Sequence, residues 1–313
     1  MTWEPSALIE TLQCRAQFIQ KIRDFFTARD YLEVETPTLG RHTVTDVYID
    51  SFSCLNPVDN HTYYLQTSPE FFMKRLLAAG SGPIFQISKA FRSEEAGHNH
   101  NPEFTMLEWY RPGFDHHDLM HEVDQLTQHL LNTAAADKTT YSDLFQTHCN
   151  IDPHTASAND IYSIAKKHQL EHLANDSDGY LQLLMNYVVE PNLGLEKPLF
   201  VYDYPKSQAA LARIRKGPPD VAERFEMYYQ TREIANGFHE LNCQKKQQER
   251  FTQDINDRIK KNKAQPTLDE KFLSCLDHLP DCSGVALGID RLFMLSKGLN
   301  DIKHCMSFNW SAL

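Results

Sequence analysis

Apolar and polar positions alternate in two runs between residues 84 and 110. Ile84, Phe85, Ile87 and Phe91 mark the first run, and Phe104, Met106, Leu107 and Trp109 mark the second. Alternation of this kind predicts two strands. The polar stretch from Arg92 to Pro102 predicts the loop that joins them. Earlier in the chain, Ile19, Ile22, Phe25 and Phe26 fall at helical spacing, and Leu32-Glu33-Val34-Glu35-Thr36-Pro37 follows as an extended segment. Near the other end, Ser283-Gly284-Val285-Ala286-Leu287-Gly288-Ile289-Asp290-Arg291 predicts a small-residue strand running into the apolar helix Leu292-Phe293-Met294-Leu295. Phe225, Met227 and Tyr229, then Ile234 and Phe238, predict another strand pair turning near Tyr229-Gln230. From about 115 to 178 the pattern is polar and helical, an insertion decorating a core, and Gly217-Pro218-Pro219 predicts a loop.

Composition narrows the class. The chain has 313 residues, 41% of them hydrophobic, enough to bury a large core. It opens on no charged-then-apolar leader and carries no apolar run of about 18 residues, which predicts a cytoplasmic protein without membrane contact. Seven cysteines lie scattered without a Cys-x-x-Cys pair, the pattern of reduced thiols. The net charge is −11; an acidic chain can still bind RNA through a local patch, but nothing in the sequence reads as an extended basic surface. Basic residues cluster at Arg213, Arg215 and Lys216, and at Arg258, Lys260, Lys261 and Lys263. Each cluster reads as a solvated face, with docking of an acidic protein as the alternative. His116, His117 and His121 read as the solvated start of a helix, with metal ligands at helical spacing as the alternative, because no cysteine or further carboxylate cluster completes a metal shell.

Candidate chemistry sits on the first hairpin. Arg92 and Glu94 lie where its first strand ends, and His100, Asn101 and Pro102 lead into Phe104. A guanidinium for a phosphate, a carboxylate for an amino group and an aromatic face for a base are what an ATP site requires. A buried ion pair beside a core phenylalanine is the alternative. The glycines at 284 and 288 allow close backbone approach to a ligand, but no Gly-Lys-Ser/Thr follows, so this is not a phosphate loop. Glu226 and Glu233 lie symmetrically about Tyr229-Gln230. A hairpin turning there would set the two carboxylates opposite each other, an arrangement that calls for a cation such as Mg²⁺. A turn displaced by one residue would instead send both to solvent.

In this order, the three segments resemble motifs 1, 2 and 3 of the class II aminoacyl-tRNA synthetases. Thr67-Ser68-Pro69-Glu70 with Met73-Lys74-Arg75-Leu76, Asn101-Pro102-Glu103-Phe104-Thr105-Met106-Leu107-Glu108, Glu223-Arg224-Phe225-Glu226, and Arg232-Glu233-Ile234-Ala235-Asn236-Gly237-Phe238-His239-Glu240-Leu241 are similar to the lysyl-tRNA synthetase branch. The resemblance runs from about Cys14 to about Leu295. It implies an α+β fold, an antiparallel sheet flanked by helices, as one catalytic domain over 1–313 without an N-terminal anticodon-binding domain. Free-standing cores of this branch resemble the elongation factor P–(R)-β-lysine ligases, which form an aminoacyl-adenylate from ATP and transfer it to a lysine side chain of elongation factor P.

Carried over residue by residue, the resemblance makes Arg92 and Arg291 the catalytic phosphate contacts. Glu94 would read the adenine amino group, and Asn101, Ile234 and Gly288 would line the nucleotide. Phe104 would stack on the base with Arg291 over its other face, and Glu226 and Glu233 would bind Mg²⁺, with Glu233 also at the ATP. The amino-acid pocket would comprise Ser68, Pro69, Glu70, Glu108, Tyr110, Asn236, Phe238, Glu240 and Ala286. Glu240 as a surface residue and Glu108 as a structural partner of an arginine are the bland alternatives. Ala286 stands where the tRNA-charging relatives have glycine; its methyl would obstruct an α-amino acid and spare a β-amino acid, unless the change is simple drift. The resemblance also implies a homodimer through motif 1, where Phe25 and Phe26 add bulk beyond one helix face. The partners are then (R)-β-lysine and elongation factor P, with no tRNA. A stand-alone enzyme using lysine with tRNA or another carrier is one alternative, and a catalytically silent regulatory module is another. The second would lack Arg92, Phe104 or Arg291, and all three are present.

Overall fold

Helix α1 (Ile9–Thr27) forms where the spacing predicts, but its buried stripe is Phe18, Ile22, Phe25 and Phe26, with Ile19 only half-buried beside it. The computed structural model describes residues 3–313. They form two compact units, residues up to Gly113 together with Leu241–Leu313, and Phe114–Glu240. The first unit continues through β1 (Leu32–Glu33), β2 (Leu39–Gly40), β3 (Ser53–Asn56), β4 (His61–Leu65), α2 (Glu70–Ala78), β5 (Ile84–Phe91) and β6 (Glu103–Pro112). The second holds α3 (His116–Leu131), β7 (Asp137–Thr140), α4 (Tyr141–Cys149), α5 (Ala158–Lys167), α6 (Ser177–Leu184), β8 (Leu199–Pro205), β9 (Ile214–Arg215), β10 (Val221–Tyr229) and β11 (Arg232–His239). The chain then returns to the first through α7 (Gln244–Lys260), α8 (Glu270–Cys275), β12 (Cys282–Gly288) and α9 (Ile289–Ser296). The architecture is α+β.

In the first unit the strands lie in the order β1, β5, β6, β12, with β1 parallel to β5 and the others antiparallel. The register aligns Gln86, Glu108 and Ala286 across three strands. Directly paired residues share a face, so these three side chains project together. Behind the sheet, Phe26 is fully buried, stacked on Phe85 at 4.8 Å and edge-on to Tyr31 and Trp109, each at 5.1 Å. Phe25 is 6% exposed. Both rings are therefore consumed within the chain, and the surplus bulk expected to drive dimerisation is not there. Phe26→Ala removes a ring from a closed cluster and should cost about 3–5 kcal/mol, read as a lowered melting temperature. A drop within scan error would mean that this stripe is not core.

In the second unit β8, β10 and β11 are antiparallel neighbours, β9 adds to β10, and β7 runs parallel to β8. Helices α4, α5 and α6 share a core with this sheet: Tyr141, Phe145, Ile161 and Leu184 pack with Val201, Ala222 and Tyr228. The hairpin turn falls one residue later than the sequence symmetry predicts. Gln230 and Thr231 take left-handed φ values of 48° and 61°, the two-residue turn that matches strand twist, and Tyr229 pairs with Arg232. Glu226 is thus opposite Asn236, and Glu233 is opposite Tyr228, which overturns the expectation that the two carboxylates face each other. The register slips between Met227 and Tyr228, leaving Ile234 as the extra residue of a bulge.

Other expectations meet particular outcomes. All seven cysteines are free thiols. No helix among the described residues is long and apolar enough to cross a membrane. The solvated reading of the basic clusters fails at Arg258, which is 4% exposed and bonded to Asp50 and to the Asp46 and Ala264 carbonyls. It also fails for His116, which is 2% exposed inside the first turn of α3, while His121 stays at the surface.

Candidate active site

In the first unit, the β5–β6 loop gathers the phosphate-binding candidates. Arg92 sits at the end of β5, its guanidinium carbon 5.2 Å from the centre of the Phe104 ring and its Nη1 donating to Glu95 Oε1 at 3.0 Å. Cation–π contact and the carboxylate hold the guanidinium in place, and the Phe104 ring is half-buried, leaving area for a base. Arg291, in the first turn of α9, donates Nε to the Asn99 carbonyl at 3.3 Å. Desolvation, then the charge of Arg291, and that of Arg92 beyond the opposing Glu95, hold the His100 imidazole below its usual range. Two guanidinium groups thus lie near an imidazole biased towards its neutral form. Glu94 is exposed on the loop. Asn101 is 6% exposed with both ends of its amide engaged: Nδ2 donates to the Glu103 carbonyl at 2.6 Å and Oδ1 accepts from Trp310 N at 2.9 Å.

A methyl at Gly288 would meet the Arg291 side chain only at 3.9 Å, ordinary contact, and φ there is −76°. Nothing in the protein therefore demands glycine, which fits space kept for a ligand. Asp290, 1% exposed, pairs with Arg15 of α1 and accepts from Thr105 N at 2.6 Å, while Arg15 also donates to Thr105 Oγ1 at 2.9 Å. This buried bridge ties all three motif elements together and fixes the helix start from which Arg291 projects.

The amino-acid candidates of this unit meet around Glu108. It is 2% exposed and accepts from Ser68 Oγ at 2.7 Å and from the Tyr110 hydroxyl at 2.6 Å. These partners are hydroxyls, not the arginine of the bland reading. Burial, reinforced by the negative charge of Glu70, pushes the Glu108 carboxyl up to about 7, against the pull of its two hydrogen bonds. Ser68 also accepts from Glu70 N at 3.0 Å, and the buried Pro69 caps α2. Glu70 holds fully buried Lys74 at 2.6 Å, one helical turn on. Ala286 is the cross-strand partner of Glu108, so its methyl stands beside that carboxylate.

In the second unit Glu226 is the hub. It accepts from Arg224 and Tyr228, and from Tyr204 at 2.6 Å. Burial and then the Glu226 charge raise both tyrosine hydroxyls well above their ordinary range, so they remain donors. Burial alone would lower Arg224, but Glu226, Tyr204 and Glu233 outweigh it and keep the guanidinium charged. Arg224 also lies 4.6 Å from the Tyr204 ring centre, 5.9 Å from that of Phe238, and 3.3 Å from Asn236 Oδ1. Half-buried Glu233 is close enough for its charge to act on Arg224 and Tyr228. Glu226, Glu233, Asn236 and Phe238 are thereby gathered around one arginine. Glu240 is 1% exposed, not the surface residue of the bland reading, and Ile234 is buried.

Sequence reasoning missed Arg15, Asp290, Glu95, Tyr204, Arg224 and Tyr228. Arg224 and Asp290 lay within recognised motifs without a role, and the others were not singled out by any local pattern.

The model of the family described as tRNA synthetases class II (D, K and N) matches residues 2–311. The chain belongs to that family. The elongation factor P–(R)-β-lysine ligase of Haemophilus influenzae (strain PittGG) is 49% identical over 312 residues, covering 98% of this chain and 97% of the relative. Proteins of the same name from Salmonella dublin and Salmonella paratyphi B (strain ATCC BAA-1250 / SPB7) are each 48% identical over 315 residues, covering 98% of this chain and 97% of the relative. Family membership and ligase relatives matched along nearly their whole length make this class II synthetase an ATP-dependent ligase. Its motif 2 hairpin and its motif 3 strand and helix are β5–β6 and β12–α9, as the sequence leads one to expect.

Proposed function

We propose that the enzyme activates (R)-β-lysine with ATP as an aminoacyl-adenylate and transfers the acyl group to a lysine side chain of elongation factor P. The observation that carries this reading is the pairing of Ala286 with Glu108. It sets a methyl beside the buried carboxylate best suited to receive a substrate ammonium, where a displaced β-amino group is better tolerated than an α-amino group. The names of the relatives support both substrates.

In the first step the substrate carboxylate, ionised at neutral pH, attacks the α-phosphorus and pyrophosphate leaves. In the second, the acceptor amine attacks the acyl carbonyl, AMP leaves and the amine loses a proton. Arg92 and Arg291 neutralise phosphate charge in a positioning-plus-electrostatics role, and Phe104 supplies a stacking face. Glu108, Glu70 and Glu240 supply carboxylates for the two ammonium groups, Asn236 a hydrogen-bonding partner, and Phe238 a wall for the methylene stem. Glu226 and Glu233 suit Mg²⁺: both are hard oxygen donors, and Glu226 Oε1, bonded to Arg224, retains acceptor capacity. The cation, when bound, would screen the triphosphate charge.

This reading places the enzyme in the cytoplasm, with ATP and a translation factor. It retains a homodimer through the motif 1 region, where Ile9, Leu32 and Leu39 are 61%, 55% and 42% exposed. A sedimentation mass equal to one chain at micromolar concentration would remove the dimer.

Pyrophosphate exchange dependent on (R)-β-lysine tests activation, and its pH profile tests Glu108. The ammonium is received by the ionised carboxylate, so kcat/KM for (R)-β-lysine should rise as pH passes through about 7, the pKa of Glu108 in the free enzyme. Glu108→Gln should flatten that limb. The same shift has a stability sign. Between the ordinary value of 4.5 and about 7 the unfolded chain has released this proton and the folded chain keeps it, so Glu108 destabilises the free protein increasingly as pH rises across that window. A flat profile in the parent enzyme would remove Glu108 from ammonium recognition.

A further inference from the structure

Glu223 and His239 alternate with Arg224 and Phe238 along β10 and β11, so they project on the opposite face from the Glu226 group. There, His116, Glu223 and His239 bring ring nitrogens and a carboxylate oxygen within 4.8 Å of one another. His116 is 2% exposed, and neither of its ring nitrogens makes a hydrogen bond. A buried imidazole left in that state is costly, and it is aimed at two carboxylates. Asp203 of β8 places Oδ1 at 3.7 Å from His116 Nε2, and that oxygen also makes no hydrogen bond. Arg215 takes the outer oxygens, bonding Asp203 Oδ2 and lying 3.6 Å from Glu223 Oε1. The inner oxygens, Asp203 Oδ1 and Glu223 Oε2, therefore face the imidazoles, with Glu223 Oε2 at 2.7 Å from His239 Nδ1.

We propose that His116, His239 and Glu223, with Asp203 as fourth donor, form a binding site for a late transition-metal dication of the Zn²⁺ class. Two imidazoles with two carboxylates suit Zn²⁺ and not the all-oxygen shell that Mg²⁺ prefers. The carboxylates and Arg215 together leave one net negative charge, which favours a dication over a second arginine. Donors about 2.0–2.2 Å from a tetrahedral ion lie roughly 3.3–3.6 Å apart, so loading parts Glu223 Oε2 from His239 Nδ1, now 2.7 Å away, and draws the more widely spaced donors together. Arg215 orients both carboxylates from behind, as outer-shell partners do. The ion would tie the first turn of α3 to β8, β10 and β11, and so stiffen the strand on which His239 lies between Phe238 and Glu240.

The test uses the full chain, stripped with chelator and then titrated with Zn²⁺ or Co²⁺ alone in millimolar Mg²⁺, which fills any all-oxygen site. One equivalent per chain should bind, Co²⁺ should give the visible bands of a tetrahedral site, and Zn²⁺ should raise the melting temperature. His116→Gln and Glu223→Gln should each weaken binding at least ten-fold, while exposed His172→Ala should leave it unchanged. Absence of stoichiometric binding or of tetrahedral Co²⁺ bands in the parent would overturn the proposal whatever the variants do. So would undiminished binding by either glutamine variant when folded, with His239→Gln deciding if neither folds.

Discussion

Arg291→Ala should lower kcat/KM for ATP in amino-acid-dependent pyrophosphate exchange by a hundred-fold or more. On the proposed reading the substitution removes a guanidinium that meets the triphosphate by charge-assisted hydrogen bonds, a loss of about 3 kcal/mol, and each 1.36 kcal/mol is a factor of ten. The side chain lies in the first turn of a helix whose start is locked by the Arg15–Asp290 pair and by Thr105 N. Its position is therefore set before substrate arrives, and the loss should appear in catalysis more than in folding. Arg291→Lys should recover only part of the rate, because an ammonium cannot reproduce planar, bidentate donation. The melting temperature of both variants should stay close to the parent's. A large fall in stability with a modest fall in rate would make Arg291 a structural residue.

Ala286→Gly should improve activation of lysine at least ten-fold relative to (R)-β-lysine while leaving the KM for ATP nearly unchanged. One methyl in a pocket discriminates by about 1–3 kcal/mol, 10- to 200-fold. This methyl shares a face with Glu108 and Gln86, between positions occupied by Gly284 and Gly288 on the same strand. The stability cost of a glycine there is only about 0.5–1 kcal/mol, too small to confuse the readout. An unchanged ratio of the two kcat/KM values would show that Ala286 only packs, and that amino-acid preference is set elsewhere.

The parts of this molecule that were legible in the sequence are those written in local pattern. Alternation placed β5 and β6, the glycine-spaced strand led into α9, and the stripe of α1 was right at Ile22, Phe25 and Phe26, with half-buried Ile19 named in place of the buried Phe18. Family motifs then suggested the roles proposed for Arg92, Phe104, Glu108 and Arg291. Register was less accessible. The Glu226–Glu233 symmetry predicted a turn one residue early, because the left-handed pair Gln230-Thr231 and the bulge at Ile234 are choices of backbone twist that the side-chain pattern does not encode. Long-range pairings were out of reach altogether. Asp290 finds Arg15, and Glu226 finds Tyr204, across wide gaps in sequence. His116 looked like a solvated helix start because its neighbours in space, Glu223 and His239, are not its neighbours in the chain. Phe25 and Phe26 failed as a dimerisation signal for a related reason: the rings that cover Phe26 come from β5 and β6.

The most direct test of the account is mass spectrometry of elongation factor P after incubation with this enzyme, ATP and either (R)-β-lysine or lysine. The account predicts that one lysine side chain of the factor gains a single lysyl mass with (R)-β-lysine, at least ten times faster than with lysine, and not at all without ATP. An unmodified factor in the presence of active enzyme and (R)-β-lysine, or faster modification with lysine, would contradict it.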